Sequence, residues 1–154
     1  MSKKSIHLFR LLLFVTKALV KNIWDSPGLS GLSGPQFGVL RVLDNSGPLT
    51  PSELSETMLV SAANVTGLVS RLKKLGFVER RRQASDRRSL KIVLSHAGQE
   101  ALGRITPLWE CEVARCFRPL NPREKRELTV LLDKFADAFP KNRFFRRQPE
   151  EDSA

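Results

Sequence analysis

Cysteine and histidine are scarce in this chain, and the few present are badly spaced for chemistry. The 154 residues hold two of each. Cys111 and Cys116 have neither a metal-ligand nor a redox spacing. On one helix they would lie about 140° apart and share no face, so packing in a core or interface is their expected role, inside a reducing compartment. His7 and His96 have no sequence partner that would make a Ser/His or Cys/His pair, and there is no phosphate-binding glycine loop or metal-ligand cluster. No catalytic residue, metal or cofactor is expected, and the chain does not read as an enzyme. Long apolar runs are missing too. Lys3-Lys4 followed by Leu11-Leu12-Leu13-Phe14-Val15 faintly suggests a leader, but Arg10, Lys17 and Lys21 interrupt it. The run falls short of the roughly 20 residues that span a bilayer, and no small-residue cleavage site follows. The expectation is a cytoplasmic protein without a membrane partner.

Acidic residues are the third shortage. Lysine and arginine number 26 against 16 aspartates and glutamates, a formal charge of +10, which calls for a polyanionic partner. The excess is concentrated: Arg71, Lys73, Lys74, Arg80, Arg81, Arg82, Arg87, Arg88 and Lys91 face only Glu79 and Asp86 in the same segment. The length fits one domain or a compact pair of subdomains.

Helix punctuation sets the architecture. Residues 5–24 carry a helical pattern that is apolar around most of its circumference, with Ile6, Phe9, Leu12, Leu13, Leu19 and Ile23. A helix of that kind needs cover on several sides, more than a small chain supplies, so a second subunit is expected to bury part of it. Ser33 and Gln36 form a capping-box start for a helix with Phe37, Leu40 and Leu43 inward. Thr50-Pro51-Ser52-Glu53 combines a cap, a first-turn proline and a glutamate three residues on. That helix lasts about two turns before Ser61 caps the next, the helix-turn-helix arrangement. In the second helix, 61–75, Val65, Leu68, Val69, Leu72 and Leu75 form the buried stripe, and Gly76 ends it.

Residues 77–82 and 90–94 read as two strands of a hairpin, a wing whose tip is Ser85-Asp86-Arg87-Arg88. Ser95 caps a long helix to about residue 117, which Pro107 should kink or split. Asn121-Pro122-Arg123-Glu124 opens a last helix carrying Leu128, Leu131, Leu132, Phe135 and Phe139. Residues 140–154 form a polar tail of mixed charge, expected to be disordered. The fold class is mostly α (α+β): a winged helix-turn-helix lobe over 33–95, with 1–32 and 96–139 supplying dimerisation helices.

A helix in the major groove must present small or hydrogen-bonding side chains near its N-terminus. Ser61, Ala62, Ala63, Asn64, Thr66 and Gly67 do so. Mid-helix glycine costs about 1 kcal/mol against alanine, so Gly67 needs a reason: close approach to DNA or tight packing on the neighbouring helix. Farther along the face, Ser70, Arg71 and Lys74 are placed for phosphates, which fix register rather than read sequence. At the wing tip, with Arg87 beside it, Arg88 suits the electronegative minor groove, and Asp86 can orient it through a charge-assisted pair.

In the segments around Ser33–Leu43, Thr50–Glu53 and Ser61–Gly76, in Leu75-Gly76-Phe77-Val78, in Asp86 and Arg88 of the wing, and in Leu94-Ser95-His96-Ala97-Gly98, the chain resembles the MarR family of winged helix regulators. The resemblance covers nearly the whole chain. Serines stand at 33 and 95 where the family more often has threonine, and serine caps equally well. The resemblance implies a homodimer on a pseudo-palindromic double-stranded DNA operator, usually repressing and often released by a small aromatic or amphipathic effector. Oxidation-sensing members carry a cysteine in the first helix, and this first helix has none. An effector would sit between body and lobe, among Trp24, Phe37 and Trp109. The alternative reading is a basic architectural protein that binds nucleic acid without choosing sequence.

Overall fold

The computed structural model describes residues 3–29, 31–83 and 86–139, with the side chains at 83 and 86–89 outside that description. The order is α1 (Lys3–Trp24), a 3-10 turn (Pro27–Leu29), α2 (Gly34–Ser46), α3 (Pro51–Met58), α4 (Ala62–Lys74), β1 (Val78–Gln83), β2 (Asp86–Leu94), α5 (His96–Cys116) and α6 (Pro122–Ala136). The mostly helical fold with one antiparallel hairpin is the expected class. The tail from residue 140 onward and wing-tip residue Ser85 lie outside the described residues.

Local capping explains where the helices start. Ser33 with Gln36, Thr50 with Glu53 and Asn121 with Glu124 each close a full capping box, and proline occupies the first turn in all three cases. Each box satisfies two amide groups that would otherwise lack partners. Ser61 caps α4 by accepting from the Asn64 amide at 3.3 Å. Between α3 and α4 the chain turns at Leu59, whose φ of 54° is the left-handed conformation that a branched side chain adopts only at a cost.

The core lies where α2, α3, α4 and the hairpin meet. Leu40, Leu54, Val65, Leu72 and Ile92 are fully buried there, with Leu102 of α5 closing one side. Leu75 does not complete the α4 stripe. It caps the helix and is half exposed, because the core-facing row ends one turn earlier, at Leu72. The sheet gains an edge that the sequence pattern does not announce: Leu49 and Ile92 exchange backbone hydrogen bonds at 3.1 and 2.7 Å, which tethers the segment before α3 to the wing.

The wing differs from expectation in its boundaries. Arg82 pairs with Leu90, the next pair is Gln83 with Asp86, and the register shifts between them. Asp86, Arg87 and Arg88 thus belong to β2, on the long side of a bulge, instead of forming an open tip. Pro107 does not split the helix: α5 runs unbroken from His96 to Cys116. The only backbone donor Pro107 lacks is the one for the Gly103 carbonyl, and the rest of the 21-residue helix outweighs that single loss.

The joint between the hairpin and α5 is tightly built. The Ser95 hydroxyl donates to the Gly76 carbonyl at 2.6 Å and accepts from the Gly98 amide at 3.0 Å, while the Ser95 amide donates to the Phe77 carbonyl at 3.0 Å. One buried serine therefore holds the end of α4 to the start of α5. Gly98 has a steric reason: a Cβ there would stand 2.1 Å from the Phe77 carbonyl oxygen. In contrast, α6 has no buried residue and α1 only Ile23. Phe9, Phe14, Leu131 and Phe135 are more than half exposed in the single chain.

Candidate nucleic-acid interface

On α4 the buried stripe Val65, Leu68, Val69 and Leu72 points the opposite residues outward by helical periodicity. Ser61, Ala62, Ala63, Asn64, Thr66, Ser70, Arg71 and Lys74 are exposed and Gly67 is half-buried. The nine sequence-predicted residues of this helix and its cap thus share one surface. At Gly67 a Cβ would meet nothing within 4 Å, so tight packing on the neighbouring helix is not its reason. The Thr66 hydroxyl donates to the Ala62 carbonyl at 2.9 Å, which leaves Thr66 an oxygen lone pair and a methyl group for outside contacts. Lys73 joins Arg71 and Lys74 in the last turn of the helix, where cations also complement the negative end of the helix dipole.

The strand that follows adds charge which the sequence analysis counted in the basic segment without assigning it to the interface. Arg81 is held by Glu79, 2.8 Å away, so these two largely cancel. Arg80 and Arg82 alternate with Arg81 along β1 and are exposed, on the strand face opposite that ion pair. Val78 buried, followed by arginines at the next two even positions, was the available signal. Asp86, Arg87 and Arg88 are placed in β2 by their backbone, but their side chains lie outside the described residues, and with them the expected Asp86 to Arg88 pair.

The three aromatic residues expected at an effector site do come together. Trp24 stands edge-on to Phe37 and Phe37 is tilted against Trp109, with ring centroids 5.5 Å apart in both pairs. Phe37 is buried in the core and the two tryptophans pack against it. Open space lies beside the cluster instead of within it. A cleft of about 370 Å3 between α2 and α5 is lined by Arg41, Asp44, Asn45, Gln99, Leu102, Gly103, Thr106 and Pro107, and only Arg41 links it to the rings.

Among the described residues no group of three or more His, Cys, Asp or Glu side chains could hold a metal ion, and no helix is long and apolar enough to cross a membrane. Cys111 is exposed and Cys116 half-buried, and neither is in a disulfide.

Comparison with known proteins gives the same picture. The MarR family profile matches residues 30–89, the span from the loop before α2 into the wing. The chain is 29% identical to the uncharacterized HTH-type transcriptional regulator YkoM of Bacillus subtilis, over 86% of each chain. It is also 29% identical to the transcriptional repressor MprA of Escherichia coli, over 85% of this chain and 76% of that one. Among solved structures, BpsR of Bordetella bronchiseptica superposes with a TM-score of 0.76 at 26% identity, covering 84% of this chain and 93% of its own. With the helix-turn-helix, the wing and the Ser95 joint in place, the winged region of the chain matches the MarR family and the whole chain is similar to winged helix transcriptional regulators.

Proposed function

We propose that the chain acts as a homodimer that binds a pseudo-palindromic operator in double-stranded DNA and serves as a ligand-responsive repressor in the cytoplasm, without enzymatic activity. The observation that carries this reading is the outward face of α4: small and polar at its N-terminal half, cationic at its C-terminal half, and with free space where a Cβ would stand at Gly67. Ser61, Ala62, Ala63, Asn64, Thr66 and Gly67 would meet base edges, with Ser70, Arg71 and Lys74 on phosphates and Asp86, Arg87 and Arg88 at the adjacent minor groove. Residues 33–95 form the DNA-binding lobe in this reading, and 1–32 with 96–139 the dimer body. Support for repression comes from the likeness to MprA, a transcriptional repressor. Support for an effector comes from BpsR, whose DNA binding is regulated by 6-hydroxynicotinic acid.

Competition binding tests the reading. DNA from upstream of the protein's own gene should displace bulk genomic DNA with a preference of about 10³ or more. Equal affinity for both would make this an architectural protein that binds without choosing sequence.

A further inference from the structure

The turn between α3 and α4 carries a leucine for which the fold itself gives no reason. Leu59 has a φ of 54° and is the one non-glycine residue with a positive φ among the described residues. Helices that end in this left-handed conformation usually do so on glycine, sometimes on asparagine, because a Cβ there crowds the neighbouring backbone. Leu59 is also 74% exposed, more than any other large apolar side chain among the described residues. Burial within the chain therefore does not offset the strain. The turn is held from inside by other groups: Val60 packs against the core, and the Ser55 hydroxyl donates to the Val60 carbonyl at 2.7 Å. Leu59 closes the C-terminal end of α3 and stands two residues before Ser61, the N-cap of α4. It thus lies at the end of α4 whose outward face is small and polar. Among the described residues of 33–95, the other exposed large apolar side chain is Leu75, at the opposite end of α4.

We propose that Leu59 is a specificity-determining residue, its side chain laid against the 5-methyl group of a thymine in the major groove. The proposal rests on the DNA-binding reading above and adds to the face of α4 a residue from the turn before it. The thymine methyl is the apolar feature of the base edges in that groove, and an aliphatic side chain reads it by removing both groups from water. Exposure of Leu59 in the free protein follows, since the surface that covers it belongs to the DNA. A protein partner would call for a contiguous apolar patch. A lone leucine beside Ser61, Ala62 and Ala63, all exposed, suits a single methyl group set among polar base edges.

The test uses the full-length protein and the DNA upstream of its own gene, amplified once with dTTP and once with dUTP, so that the two duplexes differ only in the thymine methyl groups. Wild type should prefer the thymine duplex. In Leu59→Gly that preference should fall by about tenfold, since one buried methyl contributes about fourfold and a dimer presents two copies of Leu59. Leu59→Met, which keeps a long apolar side chain, should retain most of it. Leu59→Gly should unfold at a temperature no lower than wild type, because glycine adopts the left-handed backbone without strain. The proposal is overturned if wild type does not distinguish the two duplexes, if Leu59→Gly distinguishes them as wild type does, or if Leu59→Met loses the preference as fully as glycine. A lower unfolding temperature for Leu59→Gly overturns it as well, by placing Leu59 in the packing of its own lobe. The regulator reading is judged by a separate comparison, wild type on the thymine duplex against bulk genomic DNA, so the two failures can be told apart.

Discussion

Within the winged region the apolar stripes of α2, α3, α4 and the hairpin all end in one core, with Leu40, Leu54, Val65, Leu72 and Ile92 fully buried. The two terminal helices behave differently: α1 and α6 together bury one residue, Ile23, and leave Phe9, Phe14, Leu131 and Phe135 more than half exposed. Apolar surface stabilises by roughly 25 cal/mol per Å² removed from water, and a face of this size left open is a site of association. The winged region finds its burial partners within its own sequence. The terminal helices do not, and the dimer proposed above would cover them.

Breaking the contrast at the body should have the largest effect. Leu131→Glu with Phe135→Glu places charges on the open face of α6 without touching the core. Light scattering should then fall from about twice the 17.4 kDa chain mass to the monomer, and operator affinity should drop by about 10²-fold or more as bivalent engagement is lost. A dimer that survives both charges would place the interface elsewhere. Breaking the lobe comes next. Gly98→Ala drives a methyl group into the Phe77 carbonyl and should destabilise the fold by roughly 3 kcal/mol, read as a lower denaturant midpoint. An unchanged midpoint would mean that the joint at Ser95 is looser than its hydrogen bonds indicate.

The remaining two predictions leave both regions folded and sharpen the surface of the lobe. Arg88→Ala should cost about 1–3 kcal/mol of operator binding, or 5- to 150-fold, while dimerisation is unaffected. Binding within about twofold of wild type would remove the wing from DNA reading. Arg71→Ala and Lys74→Ala should each weaken binding to all sequences alike and lower the salt slope by about one. A change in base preference from either would show that it reads bases.

What was legible in the sequence was local. A capping box spans four residues, so Ser33 with Gln36, Thr50 with Glu53 and Asn121 with Glu124 could be read one by one, and the exposed face of α4 followed from the stripe opposite it. What could not be read depends on residues distant in the chain. The backbone exchange of Leu49 with Ile92, the pressure of Phe77 on Gly98 and the stacking of Arg41 over Trp109 each join segments whose meeting is set by tertiary packing. The same holds for the cleft, since helix periodicity places Leu102 inward but does not reveal the space beside it. Leu75 fits the apolar period and yet lies past the end of the core. In the first case register was known and context was not; in the second, context overrode register.

The most direct test of the account is operator binding by Gly67→Leu. The position has open space around its Cβ and lies mid-helix, where leucine is a better helix former than glycine, so the variant should be dimeric and at least as stable as wild type. If α4 enters the major groove, the new side chain occupies the gap between backbone and base edges, and titration at fixed salt should show operator affinity reduced by about 10²-fold or more. A folded, dimeric Gly67→Leu protein that binds the operator as wild type does would contradict the assignment of this face to DNA.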